Sequence, residues 1–174
     1  MKKRLSTKKV AFLGLSASLA LLLSWIEFLL PPLYAAVPGI KIGLPNVVIL
    51  VVLYLVGTKE AAAVSLVRPC VSSLLFGNPV MFVYSAAGAV LSLLLMILLK
   101  KLDRLSTVGV SVAGGVAHNI GQTVVAMLLL DTPQIAYYLI VLTVTGTISG
   151  IFIGLCGAFL TKRLSKTKFF HVNK

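Results

Sequence analysis

An arginine inside a long apolar segment is the feature that most constrains this chain. Arg68 lies near the middle of residues 61–79, AAAVSLVRPCVSSLLFGNP, and is the only charged residue there. A guanidinium in hydrocarbon is costly unless a partner or a cavity receives it. Pro69 has no backbone N–H, so it disrupts the helix locally and frees a carbonyl near the charge. Arg68 therefore either snorkels to an interface or pairs with Glu27, or it faces a cavity for an anionic or carbonyl-bearing ligand.

Composition places the whole chain in a bilayer. Hydrophobic residues make up 59% of the 174 residues and charged residues 11%, which is too little polar surface to cover a soluble domain. The formal net charge of +12 is spread over the ends of apolar runs and is not gathered on one soluble face, so no nucleic-acid partner is expected. Cys70 and Cys156 lie in apolar segments without metal-type spacing and are interpreted as small buried hydrophobic residues.

The pattern predicts an all-α integral membrane protein, a bundle of six transmembrane helices. A single membrane domain, residues 10–163, lies between a basic head (1–9) and a basic tail (164–174). Its spans are predicted at about 10–30, 46–57, 61–76, 80–99, 107–130 and 135–161. The first run follows its basic head as a signal peptide would, but it is long enough to cross the bilayer and we expect it to remain.

The segment between the first two spans is predicted to be an external loop. Residues 31–45 contain four prolines and two glycines and cannot form a continuous helix. The span that follows is short, unless part of 40–45 joins it through a break at Pro45. Short or broken spans are common where membrane proteins keep their binding sites.

Basic residues indicate the orientation. Fourteen of the 16 Lys and Arg residues lie at segment ends that share one side of a six-span protein. Of the other two, Lys41 lies in an opposite loop and Arg68 lies inside a span. The positive-inside rule then places both termini in the cytoplasm.

Small residues recur at four-residue steps in three of the predicted helices. Such spacing lets helix backbones approach closely in a membrane. We predict helix packing through Gly109, Ala113, Ala117 and Gly121 of the fifth helix and Gly146, Gly150 and Gly154 of the sixth. For Ser16, Ala20 and Ser24 of the first helix, internal packing and contact with a partner protein both remain open.

Polar residues inside the apolar spans are the candidate binding residues. His118 and Gln122 are four residues apart, so they share a helix face, and Asn119 lies beside them. Three such groups in the membrane either satisfy one another and neighbouring helices or line a wet cavity. The predicted substrate-binding set is Arg68, His118, Asn119, Gln122, Lys41, Asn46, Asn78 and Glu27.

Enzymatic functions are poorly supported by the acidic residues. Glu27, Glu60, Asp103 and Asp131 lie in separate segments, so they cannot form the paired Asp-rich clusters that hold Mg²⁺ against a diphosphate. There is also no Walker loop, no metal-type histidine spacing and no nucleophile elbow. We therefore predict neither an enzyme nor a cofactor or metal site.

Three segments carry a family resemblance. Residues 41–57, 65–96 and 108–129 resemble the small bacterial membrane family labelled heptaprenyl diphosphate synthase component I, also called the Gx transporter family. The resemblance extends from about 11 to 163. That family is similar to the substrate-binding S components of energy-coupling factor (ECF) transporters, which have six helices and bind a micronutrient near the outer face.

The resemblance also implies partners. S components dock through small residues of their first helix onto a T subunit that carries two ATPases. Ser16, Ala20 and Ser24 would form that surface here, although Ser16 and Ala20 replace the usual pair of alanines. We predict a substrate-capture subunit in the bacterial cell membrane, with a small-molecule substrate. The alternative is a membrane subunit that assists isoprenoid, quinone or extracellular electron-transfer machinery without moving a solute.

Overall fold

A computed structural model describes residues 7–29, 43–77 and 79–167 of the chain. Lys41, Asn78 and residues 31–42 of the predicted external loop lie outside the described residues. In the described part, the chain is helical and contains no strand. Its helices are α1 (Thr7–Leu29), α2 (Asn46–Leu55), α3 (Thr58–Phe76), α4 (Pro79–Leu102), α5 (Thr107–Leu130) and α6 (Leu139–Leu164), with a 3-10 turn, Pro133–Tyr138, before α6.

Among the described residues, four helical segments are long and apolar enough to cross a membrane. They are Thr7–Leu29, Phe82–Leu102, Thr107–Leu130 and Pro133–Leu164. α2 is apolar but has only 10 residues, about 15 Å of helix. α3 is longer, with 19 residues, but it carries Arg68 and several serines. The structure therefore supports an all-helical membrane protein.

α3 runs through Pro69 as one helix. The local disruption expected at this proline therefore neither ends nor divides the helix. Pro69 is fully buried, so its ring fills space in the interior. The missing N–H still leaves the carbonyl four residues earlier without its helical donor.

α2 forms the centre of the hydrophobic core. All six residues from Val48 to Leu53 are buried, which explains why this helix is apolar on every side. Ala20 of α1 and Val110 of α5 pack in the same cluster. α2 also fits against α6, where a Cβ on Gly157 would lie 2.5 Å from Leu50 Cδ2.

Two polar contacts bring several helix ends to one end of the bundle. Lys9, near the start of α1, forms an ion pair of 2.5 Å with Glu60 in the first turn of α3. Lys100, near the end of α4, donates a hydrogen bond of 2.5 Å to the carbonyl of Leu53 in the last turn of α2. We call this end of the molecule the basic end. It collects Lys8, Lys9, Lys59, Lys100, Lys101, Arg104, Lys162, Arg163 and Lys166.

α5 and α6 pack antiparallel through glycines. A Cβ on Gly150 would lie 2.7 Å from Val112 Cα, and a Cβ on Gly154 would lie 2.7 Å from Val108 Cα. Such approach is possible only without side chains at these positions. The end of α6 consequently lies beside the start of α5, at the basic end.

The small residues predicted on α5 have different neighbours. Gly121 lies against α4, where a Cβ would be 2.9 Å from the Ala87 carbonyl oxygen. Ala117 is buried and Ala113 is half-buried. The space beside Gly109 borders Leu105 in the segment that precedes α5, at 3.3 Å. The nearest atoms to a Cβ on Gly109 therefore belong to the segment just before α5.

The expected burial of the cysteines is wrong. Cys70 is exposed on the surface of the protein and Cys156 is half-buried. Both follow apolar neighbours in the sequence, and an apolar neighbourhood in a membrane protein fits lipid-facing positions as well as buried ones.

Candidate functional site

A polar cavity lies between the helices. The space among its side chains, its open mouth included, is about 400 Å³. Its lining residues are Glu27, Gly43, Asn46, Arg68, Gly115, His118, Asn119, Gln122, Ser149 and Ile153. Most of these side chains are polar, in a chain that is otherwise strongly apolar.

One wall of the cavity comes from the first half of the chain. Glu27 belongs to the last turns of α1, Asn46 begins α2, and Arg68 lies in the middle of α3. Along the helices, Arg68 is about 12 Å from Glu60 and Glu27 is about 27 Å from Lys9, at about 1.5 Å per residue. This wall of the cavity therefore lies away from the basic end along α1 and α3.

Gly43 links α1 to the start of α2. Its backbone N–H donates a hydrogen bond to the Glu27 carboxylate, which is 8% exposed. Its φ of 80° is one that residues with a Cβ rarely adopt. A Cβ would also lie 3.0 Å from Asn46 Nδ2. Glycine thus lets the chain turn beside the cavity while its N–H satisfies a buried carboxylate.

Arg68 brings a positive charge to the same cavity. Its side chain is half-buried, and its Nε is buried without a hydrogen-bond partner among the described residues. The charges of Glu27 and Arg68 interact electrostatically across this space. A buried guanidinium N–H that lacks an acceptor is available to a ligand oxygen.

The opposite wall comes from α5 and α6. The Asn119 side-chain nitrogen donates a hydrogen bond of 2.7 Å to the Leu142 carbonyl of α6. This fixes the amide orientation, since only the nitrogen can donate to a carbonyl. His118 and Gln122 line the cavity one turn apart and lie against Gly88 of α4, whose Cβ would be 2.9 Å from the His118 ring.

Six of the eight predicted substrate-binding residues line this one cavity: Glu27, Asn46, Arg68, His118, Asn119 and Gln122. Lys41 and Asn78 lie outside the described residues. The prediction missed Gly43, Gly115, Ser149 and Ile153. Ser149 could have been found, because it lies between Gly146 and Gly150 on the face of α6 that approaches α5. The others are glycines or apolar residues, and the sequence carries no signal for them.

The expected partner-docking surface on the first helix requires a correction. Ser16 is 6% exposed, Ala20 is 0% exposed and Ser24 is half-buried. The hydroxyls of both serines bond to carbonyls of their own helix. Small residues permit close approach to any neighbour, and here the neighbours are the protein's own helices. This row therefore lies inside the bundle, and the exposed surface of α1 is formed by residues such as Leu15, Leu22 and Leu29.

The fold and the cavity define an all-helical membrane protein with a charged, hydrogen-bonding interior site. Among the residues described, no group of three or more His, Cys, Asp or Glu is placed to hold a metal ion. Residues 16–160 match the family described as heptaprenyl diphosphate synthase component I, and the chain belongs to that family. The family resemblance found in the sequence is thereby confirmed. No curated protein gives a significant match.

Proposed function

We propose that the protein is the substrate-binding membrane subunit of an ECF-type uptake transporter for a small micronutrient or precursor. The observation that carries this proposal is the cavity that Arg68, Glu27 and the α5 amides line inside an apolar bundle. Polar groups buried in a membrane protein are costly, and a polar ligand that completes their hydrogen bonds offsets that cost. Membrane proteins keep solute sites in this position, between helices and away from lipid.

The proposal includes six membrane-crossing segments, with α2 and α3 completing the four longer spans. The basic end faces the cytoplasm and carries both termini, in the plasma membrane of a bacterial cell. The cavity then lies on the outer side of the basic end, where it can receive a solute from outside. Uptake would be driven by a T subunit and two ATPase subunits, since the chain has no nucleotide-binding loop of its own.

A second function is favoured by the family description, which names a synthase component. In that case the chain is a membrane subunit that assists isoprenoid, quinone or extracellular electron-transfer machinery and moves no solute. The scattered acidic residues argue against a catalytic role in prenyl transfer.

Ligand retention separates the two functions. The full chain is purified in lipid nanodiscs and analysed by native mass spectrometry for a bound small molecule. Transport predicts a reproducible molecule that Arg68→Ala loses and that Arg163→Ala keeps, because Arg163 is an exposed cation at the basic end. An empty cavity in every preparation, together with a stoichiometric protein partner, would instead support the assisting subunit.

A further inference from the structure

Gly88 of α4 lies where two cavity side chains need space. A Cβ on this glycine would be 2.8 Å from Gln122 Cγ, 2.9 Å from His118 Cε1 and 2.9 Å from His118 Nδ1. Each of these distances is shorter than a normal carbon contact of about 3.5–4.0 Å. The imidazole and the amide stem can therefore lie this close to α4 only because position 88 has no side chain.

We propose that Gly88 is a positioning residue of the cavity. Because it has no side chain, His118 and Gln122 can lie close to α4, and this sets the width of the binding space. The proposal rests on the proposed function only in taking the cavity as the binding site. With alanine at position 88, both side chains must move away from α4. The cavity is the open space beside them, so they would enter it and narrow it.

Other glycines at the same helix interface act differently. Gly121 faces the Ala87 carbonyl of the α4 backbone, and Gly114 faces Met96, whose Cγ would be 2.6 Å from a Cβ. Neither Ala87 nor Met96 lines the cavity. Gly88 differs from Gly121 and Gly114, because the atoms that a side chain at position 88 would meet belong to two residues that line the cavity.

Gly146 of α6 has the matching position on the other side of α5. A Cβ there would lie 2.6 Å from Asn119 Nδ2, the atom that bonds to Leu142. Two glycines on neighbouring helices thus leave room for three polar groups of α5. Gly146 also packs against the backbone of Gly115, so a substitution there would disturb helix packing as well. Gly88→Ala is therefore the more specific test.

The test observes the His118 ring directly and needs no ligand. The chain contains two histidines, so His171→Gln leaves His118 as the only one. With ¹³Cε1-labelled histidine in nanodiscs, Gly88→Ala should displace the His118 signal. Gly114→Ala, which crowds the same two helices through flexible Met96, should leave that signal unchanged. An unmoved His118 signal in Gly88→Ala would overturn the proposal.

Two further measurements test whether the variant folds and whether it still retains the co-purified molecule. If Gly88→Ala does not fold, the double variant Gly88→Ala/Gln122→Ala should fold, because it removes the nearest atom that a new Cβ meets and leaves space into which the His118 ring can move; failure of both would also overturn the proposal. Retention of the co-purified molecule should fall about tenfold or more in Gly88→Ala, the effect of one misplaced carbon in a binding pocket. A displaced signal with unchanged retention would leave Gly88 as a positioning residue and would contradict the binding role of the cavity.

Discussion

The Asn119 side chain ties α5 to α6 through its hydrogen bond of 2.7 Å to the Leu142 carbonyl. The same carbonyl also accepts a bond of 3.2 Å from the Thr145 hydroxyl. Asn119 thus has two roles, since its amide joins two helices and also lines the cavity. The binding wall on α5 is therefore held in place by the bond that helps to hold the bundle together.

Asn119→Ala should destabilise the bundle modestly. One interhelical hydrogen bond in a membrane is worth about 0.6 kcal/mol on average and up to about 1.7 kcal/mol. We expect a lower unfolding temperature in nanodiscs. Thr147→Ala is the matched control, because the Thr147 hydroxyl bonds only within its own helix, to Thr143. Equal stability of the two variants would mean that the bond to Leu142 adds nothing to helix association.

The proposed orientation can be tested with single cysteines. In a background without Cys70 and Cys156, a cysteine at Ala36 or Thr132 should react with an impermeant thiol reagent added to intact cells. A cysteine at Asp103 should not, because Asp103 follows α4 at the basic end. Permeabilised cells provide the control, in which position 103 must become reactive. Labelling of position 103 in intact cells would reverse the proposed topology.

The Lys9–Glu60 ion pair predicts a pH-dependent contribution to stability. The hydrogen bond from Lys9 holds the pKa of the Glu60 carboxyl below its usual value. A carboxyl with a lowered folded-state pKa stabilises the fold above its unfolded pKa, and this contribution disappears as the pH falls through the folded-state pKa. The pair is partly exposed, so the effect should be small and weakened by salt.

Glu60→Gln should remove the loss of stability that the ion pair causes at acidic pH. The double variant Lys9→Glu/Glu60→Lys, which exchanges the two charges, should restore most of the stability that Glu60→Gln loses at neutral pH. Unfolding temperatures measured from about pH 7 to about pH 3, at low and high salt, would check this. An unchanged acid profile in Glu60→Gln would show that the pair does not couple α1 to α3.

The sequence predicts the cavity better than the packing around it. Arg68, His118 and Gln122 could be found because a polar group in an apolar span needs a reason to be there. The spacing of Ser16 and Ala20 indicates only that something approaches closely, and it does not identify the neighbour. Gly88 could not be found at all, since its role depends on side chains of another helix that come near it only in the folded protein.

The last prediction concerns Arg68 and Glu27, which face the same cavity. If Arg68 receives a ligand oxygen through its buried guanidinium, Arg68→Ala should weaken binding of the retained molecule by more than about 1.5 kcal/mol. Arg68→Lys should recover only part of that loss, because an ammonium cannot reproduce the planar fork of donors. Binding is measured as retention by native mass spectrometry, and folding is checked by the unfolding temperature.

A purely structural role for Arg68 predicts a different pattern. If Arg68 serves only to neutralise Glu27, its removal leaves a buried carboxylate uncompensated and destabilises the fold by about 3–5 kcal/mol. The double variant Arg68→Met/Glu27→Gln should then restore stability and retention together. The amide that Glu27→Gln introduces keeps an acceptor oxygen for the Gly43 N–H, so the turn before α2 is preserved in this test. A ligand-binding Arg68 predicts a stable double variant that retains nothing, because the charge that received the ligand is gone.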